Sequence, residues 1–201
     1  MEALRRWGPP AAVAGGFAWT LIWLHFLATH GPSSTDRKGF ALGLTWSDSL
    51  KLQVVPLTLL VVGTLGLYAL RALRGRPGWS ARAGLGISLL GYTLAITGTL
   101  ILWSLPWGSY ALEQSGTAGT FGGIGQTLGH ILLVLGLLTL GIDTWRQRVL
   151  GGWRFLPVLV ALAGLVTAPW LHMTVQGGLF GLGWMLLSSA MTRDPALRSV
   201  G

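Results

Sequence analysis

No cysteine occurs anywhere in this chain, which removes disulfides, thiolate metal sites and thiol nucleophiles from its chemistry. Charge is nearly as thin. Only 10% of the 201 residues are Asp, Glu, Lys or Arg, too few to clothe a soluble domain of this size. None of those charges falls in the middle of a long apolar run, which argues against a proton pump, an ion-coupled carrier with a buried carboxylate, and a two-carboxylate metal or hydrolase centre. The chain also lacks a Gly-x-Ser-Gly, a His-Glu-x-x-His and a phosphate-cradling loop, so intramembrane serine proteolysis, zinc proteolysis and nucleotide hydrolysis have no motif to stand on.

What fills the chain instead is apolar. Hydrophobic residues make up 51% of it and the mean hydropathy is +0.60, so the expected solvent is a bilayer. Crossing roughly 30 Å of hydrocarbon takes about 20 helical residues. Runs of that order occupy 10–29, 52–72, 83–105, 122–142, 155–171 and 174–191, the last two being short. Each is apolar around its whole circumference, as a helix among lipid and other helices must be. The expected fold is an all-α integral membrane protein, a bundle of about six transmembrane helices forming a single domain over 1–201.

The connections carry a directional signal. Arg5 and Arg6, then Arg71, Arg74, Arg76 and Arg82, then Arg146, Arg148 and Arg154, and finally Arg193 and Arg198 all fall on one side. The other side has Arg37, Lys38 and Lys51, offset by Asp36, Asp48 and Glu113. Short cytoplasmic loops accumulate Lys and Arg, so both termini are expected in the cytoplasm and the protein in a bacterial plasma membrane. The net charge of +8 is then a topology determinant beside anionic lipid headgroups, with no nucleic-acid partner implied. The first run is too long for a signal-peptide core, and the first span is expected to stay in the mature protein.

Between spans, Thr45 with Asp48 offers a cap for the second helix, 40–46 is expected along the interface, and the Gly-, Ser- and Thr-rich 106–121 is expected to be irregular. Most of the 11 tryptophans fall at span ends as an aromatic belt, while Trp19, Trp23 and Trp184 lie deeper and are expected to pack. Trp stands beside Gly or Arg at the entries to spans one, three and five, at Trp7, Trp79 and Trp153, a pattern that fits either three related hairpins or three membrane interfaces and that interface preference alone explains. Small residues four apart let helix backbones approach. Gly125 with Gly129, Gly177 with Gly181, and Gly91 with Ala95 and Thr99 form such ridges. The partners expected are therefore the lipid bilayer, neighbouring helices, and other membrane subunits or a second copy meeting the Gly125/Gly129 and Gly177/Gly181 faces.

Histidine and glutamine remain as candidates for chemistry. His25, His30, His130 and His172 fall on the predicted outer half. Gln126 with His130, and His172 with Gln176, are four apart and share a helical face. His130, Gln126, His172 and Gln176, with His25 beside them, are the candidate ligand-binding residues of an outward-facing polar pocket; no catalytic residue and no metal ligand set is proposed. The structural alternative makes them interfacial side chains hydrogen-bonded to loops or to one another. No cofactor is otherwise expected, haem between His25 and His130 being the one arrangement the sequence leaves open, since each lies roughly 8–12 Å inside the outer boundary by helical rise. The leading expectation is a non-enzymatic accessory or assembly subunit of a membrane complex. A small-molecule carrier or receptor using the His/Gln pocket follows, then a His-ligated haem or metal enzyme.

Overall fold

The computed structural model describes residues 1–30, 50–105, 116–165 and 173–194, without the side chains of 26–30 and 173–176. These residues are helical, with no strand among them. Six main helices follow one another: α1 (Glu2–His30), α2 (Val54–Leu73), α3 (Trp79–Trp103), α4 (Gly116–Arg146), α5 (Leu156–Leu165) and α6 (Met173–Thr192), with a single 3-10 turn at Gly151–Trp153. The number of helices fits the six apolar runs. Three of them, Leu50–Leu73, Trp79–Trp103 and Gly116–Arg146, are long and apolar enough to cross a membrane.

Each helix runs antiparallel to the next, and α6 returns to α1, so the six close on themselves in chain order. Glycine sets the closest approaches. On α3, Gly84, Gly91 and Gly98 recur every seven residues, and on α4 so do Gly122, Gly129 and Gly136. A period of seven keeps one stripe facing one neighbour along a supercoiled pair. A β-carbon built on Gly84 would sit 2.6 Å from the Leu140 amide nitrogen, one on Gly91 2.7 Å from the Gly129 carbonyl oxygen, and one on Gly98 2.6 Å from the Gly122 carbonyl oxygen. The two backbones therefore meet without side chains between them. The Gly91–Ala95 ridge read from sequence lies inside this seam.

The same device closes the ring. A β-carbon on Gly16 of α1 would come within 2.5 Å of the Gly181 carbonyl oxygen, and one on Gly177 would enter the Trp23 ring at 2.5 Å. On its other flank α1 meets α2, where a β-carbon on Gly8 would lie 2.5 Å from Gly66 Cα. The Gly129 and Gly181 faces are thus both covered by helices of the same chain. Trp19, Trp23 and Trp184 are buried in the core, as expected of packing residues.

Several boundaries move. α1 begins at Glu2, eight residues before the apolar run, and carries Pro9 and Pro10 inside it. Proline has no N–H, so the carbonyls four residues earlier lose their helical donors; the Pro9 carbonyl itself accepts a hydrogen bond from Ser188 Oγ of α6 at 2.6 Å. Residues 116–121 are helical, against the irregular loop their composition predicts. Thr120 Oγ1 bonds back to the Gly116 carbonyl at 3.1 Å, and Gly122 seats on the Leu102 side chain of α3, so packing overrides the weak propensity of Gly and Thr. α4 thereby reaches 31 residues, about 46 Å by helical rise. The Thr45–Asp48 cap, the interfacial 40–46 and Glu113 lie outside the described residues.

Candidate functional site

α4 runs through the middle of the polar chemistry. Its Gln126 is buried and points to α2 and α3, with Nε2 donating to Gln53 Oε1 at 3.1 Å and to Thr99 Oγ1 at 3.4 Å. One turn on, His130 Nδ1 contacts the Gln126 backbone carbonyl at 2.8 Å. A carbonyl only accepts, so the hydrogen is on Nδ1, which leaves Nε2 as the acceptor of a neutral ring. The imidazole lies against Trp19 of α1, ring centroids 5.4 Å apart and planes at 55°. Trp19 in turn meets Phe180 of α6 edge-on at 5.5 Å.

The sequence therefore pairs Gln126 with His130 rightly along the helix, but the two side chains address different neighbours. His130 also sits deeper than its run implied. With α4 starting at Gly116, it is 14 residues from that end, about 21 Å by rise. His25 is on α1, six residues beyond Trp19, about 9 Å further along the axis. A bis-histidine haem needs both rings level with one iron, and this offset works against His25 and His130 supplying it. His172 lies outside the described residues, and so does the side chain of Gln176, whose backbone is in the first turn of α6. Among the described residues no group of three His, Cys, Asp or Glu is placed to hold a metal ion.

Three further clusters escape a sequence reading. Lys51, counted there as a loop charge, is fully buried, with Nζ donating to the Leu105 carbonyl just beyond α3 at 2.9 Å. A cation suits a helix C-terminus, where carbonyls lack partners, and Trp103 Nε1 returns a bond to the Lys51 carbonyl at 2.8 Å. Midway along α2 and α3, Tyr92 joins Thr64 at 2.9 Å and the Leu60 carbonyl at 3.1 Å.

The third cluster is ionic. Arg71 Nε pairs with Asp143 Oδ2, both side chains being buried, while Ser80 Oγ donates to Asp143 Oδ1 at 2.7 Å. Arg74 Nη2 reaches Asp194 Oδ1 at 3.2 Å, and Asp194 Oδ2 accepts the Leu150 amide at 2.8 Å. The signal for it is present but faint: two arginines three apart on one helix face, and two carboxylates at the ends of apolar runs. Set against known proteins, the chain matches no family model, no curated protein and no solved structure. The side chains described above bind helix to helix.

Proposed function

We propose that this chain is a six-span protein of a bacterial plasma membrane, with both termini cytoplasmic, acting as a non-enzymatic accessory or assembly subunit of a membrane complex. The observation that carries this reading is how the buried polar groups are used. Among the described residues, the buried Lys51, Gln53, Arg71, Gln126, Asp143 and Asp194 all bond within the chain, tying one helix to another. The outward faces are apolar: Phe17, Leu21 and Leu24 on α1, Ile124, Leu128 and Ile131 on α4, and Leu182 and Leu186 on α6 are all exposed. Such surfaces suit acyl chains or the helices of a partner subunit.

A second reading, a small-molecule carrier or receptor, has one observation in its favour. His130 Nε2 is an acceptor in the neutral ring, and the neighbouring Trp19 Nε1 is buried without a hydrogen-bond partner. A donor and an acceptor near one another would suit a neutral polar ligand.

Two measurements test the proposal. Reporters fused after Arg76 and Arg148 should read cytoplasmic and those after Gly39 and Gly116 external, because forcing an arginine to a helix centre costs about 2.5–3.5 kcal/mol on insertion scales; one reversal sinks the topology. Affinity purification in mild detergent should recover a membrane protein partner in constant stoichiometry. Recovery of the chain alone, carrying a small molecule that is lost on His130→Ala, would replace the subunit reading by the carrier one.

A further inference from the structure

Two arginines at the end of α2, Arg71 in its last turn and Arg74 just beyond it, hold different things, and hold them differently. Arg71 and Asp143 are 4% and 8% exposed, and the Ser80 hydroxyl on the second carboxylate oxygen ties the start of α3 into the same joint. This is a fixed post between α2, α3 and α4. Arg74, by contrast, is 38% exposed while its partner Asp194 is buried. The other oxygen of Asp194 takes the amide of Leu150, in the connection between α4 and α5. Asp194 therefore joins the end of α2, the end of α6 and that connection at one point.

The connection itself is strained. Arg148 and Leu150 both adopt the left-handed conformation, with φ of 52° and 69°, and Gly151 follows at 54°. Non-glycine residues hold that conformation only where the surroundings impose it. Around Gly151 and Gly152 a β-carbon would meet nothing within 4 Å, so the outer part of the turn is unsupported. Its inner part covers the core, with Val149 fully buried and Leu150 nearly so. Beside it, the α3–α4 seam is interlocked backbone against backbone. The open space around Gly151 and Gly152 marks the outer edge of the turn as the place where local opening would begin, while Val149 and Leu150 hold its inner edge in the core.

We propose that the α4–α5 connection, with the end of α6, forms a hinged flap over the arginine-rich end of the bundle, latched by the chain Arg74–Asp194–Leu150 and bearing on the fixed Arg71–Asp143–Ser80 post. Loss of the latch frees the flap while the ring of helices stays closed. This inference stands apart from the subunit reading, since it concerns only the protein's own motion.

The absence of native cysteine allows a direct test with one reporter thiol at a time. Val149→Cys reports the flap and Leu133→Cys, fully buried in the α3–α4 seam, reports the body. The full chain in lipid nanodiscs is exposed to a bulky water-soluble maleimide and the rate of modification followed. Adding Asp194→Asn or Arg74→Gln should speed reaction at Val149→Cys by about tenfold or more, the factor expected for loss of a charge-assisted hydrogen bond, with Leu133→Cys unchanged. Arg74→Lys, which keeps a cation opposite Asp194, should leave Val149→Cys slow. If neither reporter responds, or if both accelerate together, the ion pair is a static staple whose loss loosens the whole fold, and the flap is overturned.

Discussion

Alanine at Gly91 or at Gly129 is expected to destabilise the protein by about 1–3 kcal/mol, the usual cost of forcing atoms into a filled interior, and leucine at either position should prevent accumulation of folded protein. The reason is geometric. A β-carbon on Gly129 would stand 2.7 Å from both Ala95 Cα and the Gly91 carbonyl oxygen. Backbone cannot swing aside as a side-chain tip does, so α3 and α4 would have to separate along their length. Gly86 supplies the control. It lies on the same helix with nothing within 4 Å of its would-be β-carbon, and Gly86→Ala should be neutral or stabilising by up to about 1 kcal/mol through helix propensity alone. Thermal unfolding in one detergent compares the three. Equal midpoints for Gly91→Ala and Gly86→Ala would show that the seam does not carry the α3–α4 pairing.

Breaking the Arg71–Asp143 pair from one side only is expected to be the more damaging electrostatic change. Arg71→Ala would leave a carboxylate in a nearly dry site with the Ser80 hydroxyl as its remaining described donor, and Asp143→Ala would leave a buried guanidinium. Removing one partner of a buried pair costs about 3–5 kcal/mol, whereas replacing both by apolar residues of similar size is often neutral. Arg71→Met with Asp143→Leu should therefore recover much of what either single alanine change loses. Unfolding midpoints of the single and double variants decide it. Additive losses in the double variant would mean that the two residues stabilise the fold independently of one another.

The helices were legible because apolar runs of sufficient length need no partner to be recognised; their ends were not. Gly116 to Thr120 reads as loop by composition and becomes helix only because α3 is there to pack on. The ridges Gly125/Gly129 and Gly177/Gly181 were visible as spacing, but which helix each would meet is a property of topology. The seven-residue glycine period on α3 and α4 is also present in the sequence, but a spacing of four residues does not bring it out. In the site, the step from Gln126 to His130 was readable as one helical turn. That Gln126 would turn to Gln53, 73 residues away, was not. The ionic cluster was beyond reach for the same reason, since Arg71 and Asp143 are 72 residues apart and Arg74 and Asp194 are 120 apart, and a charge beside a span looks like a loop charge until its partner is placed.

Closure of the ring between its first and last helices sets a timetable for synthesis. The α3–α4 hairpin has both halves of its seam as soon as α4 is made. Gly16 of α1 must wait for Gly181 of α6, which at roughly 5–20 residues per second arrives about 8–30 s later. For that interval the small-residue groove of α1, with the Thr20 hydroxyl bonded only to its own helix, has no mate from its own chain. Any neighbouring helix able to shield it in the meantime would act on the nascent protein rather than the finished one.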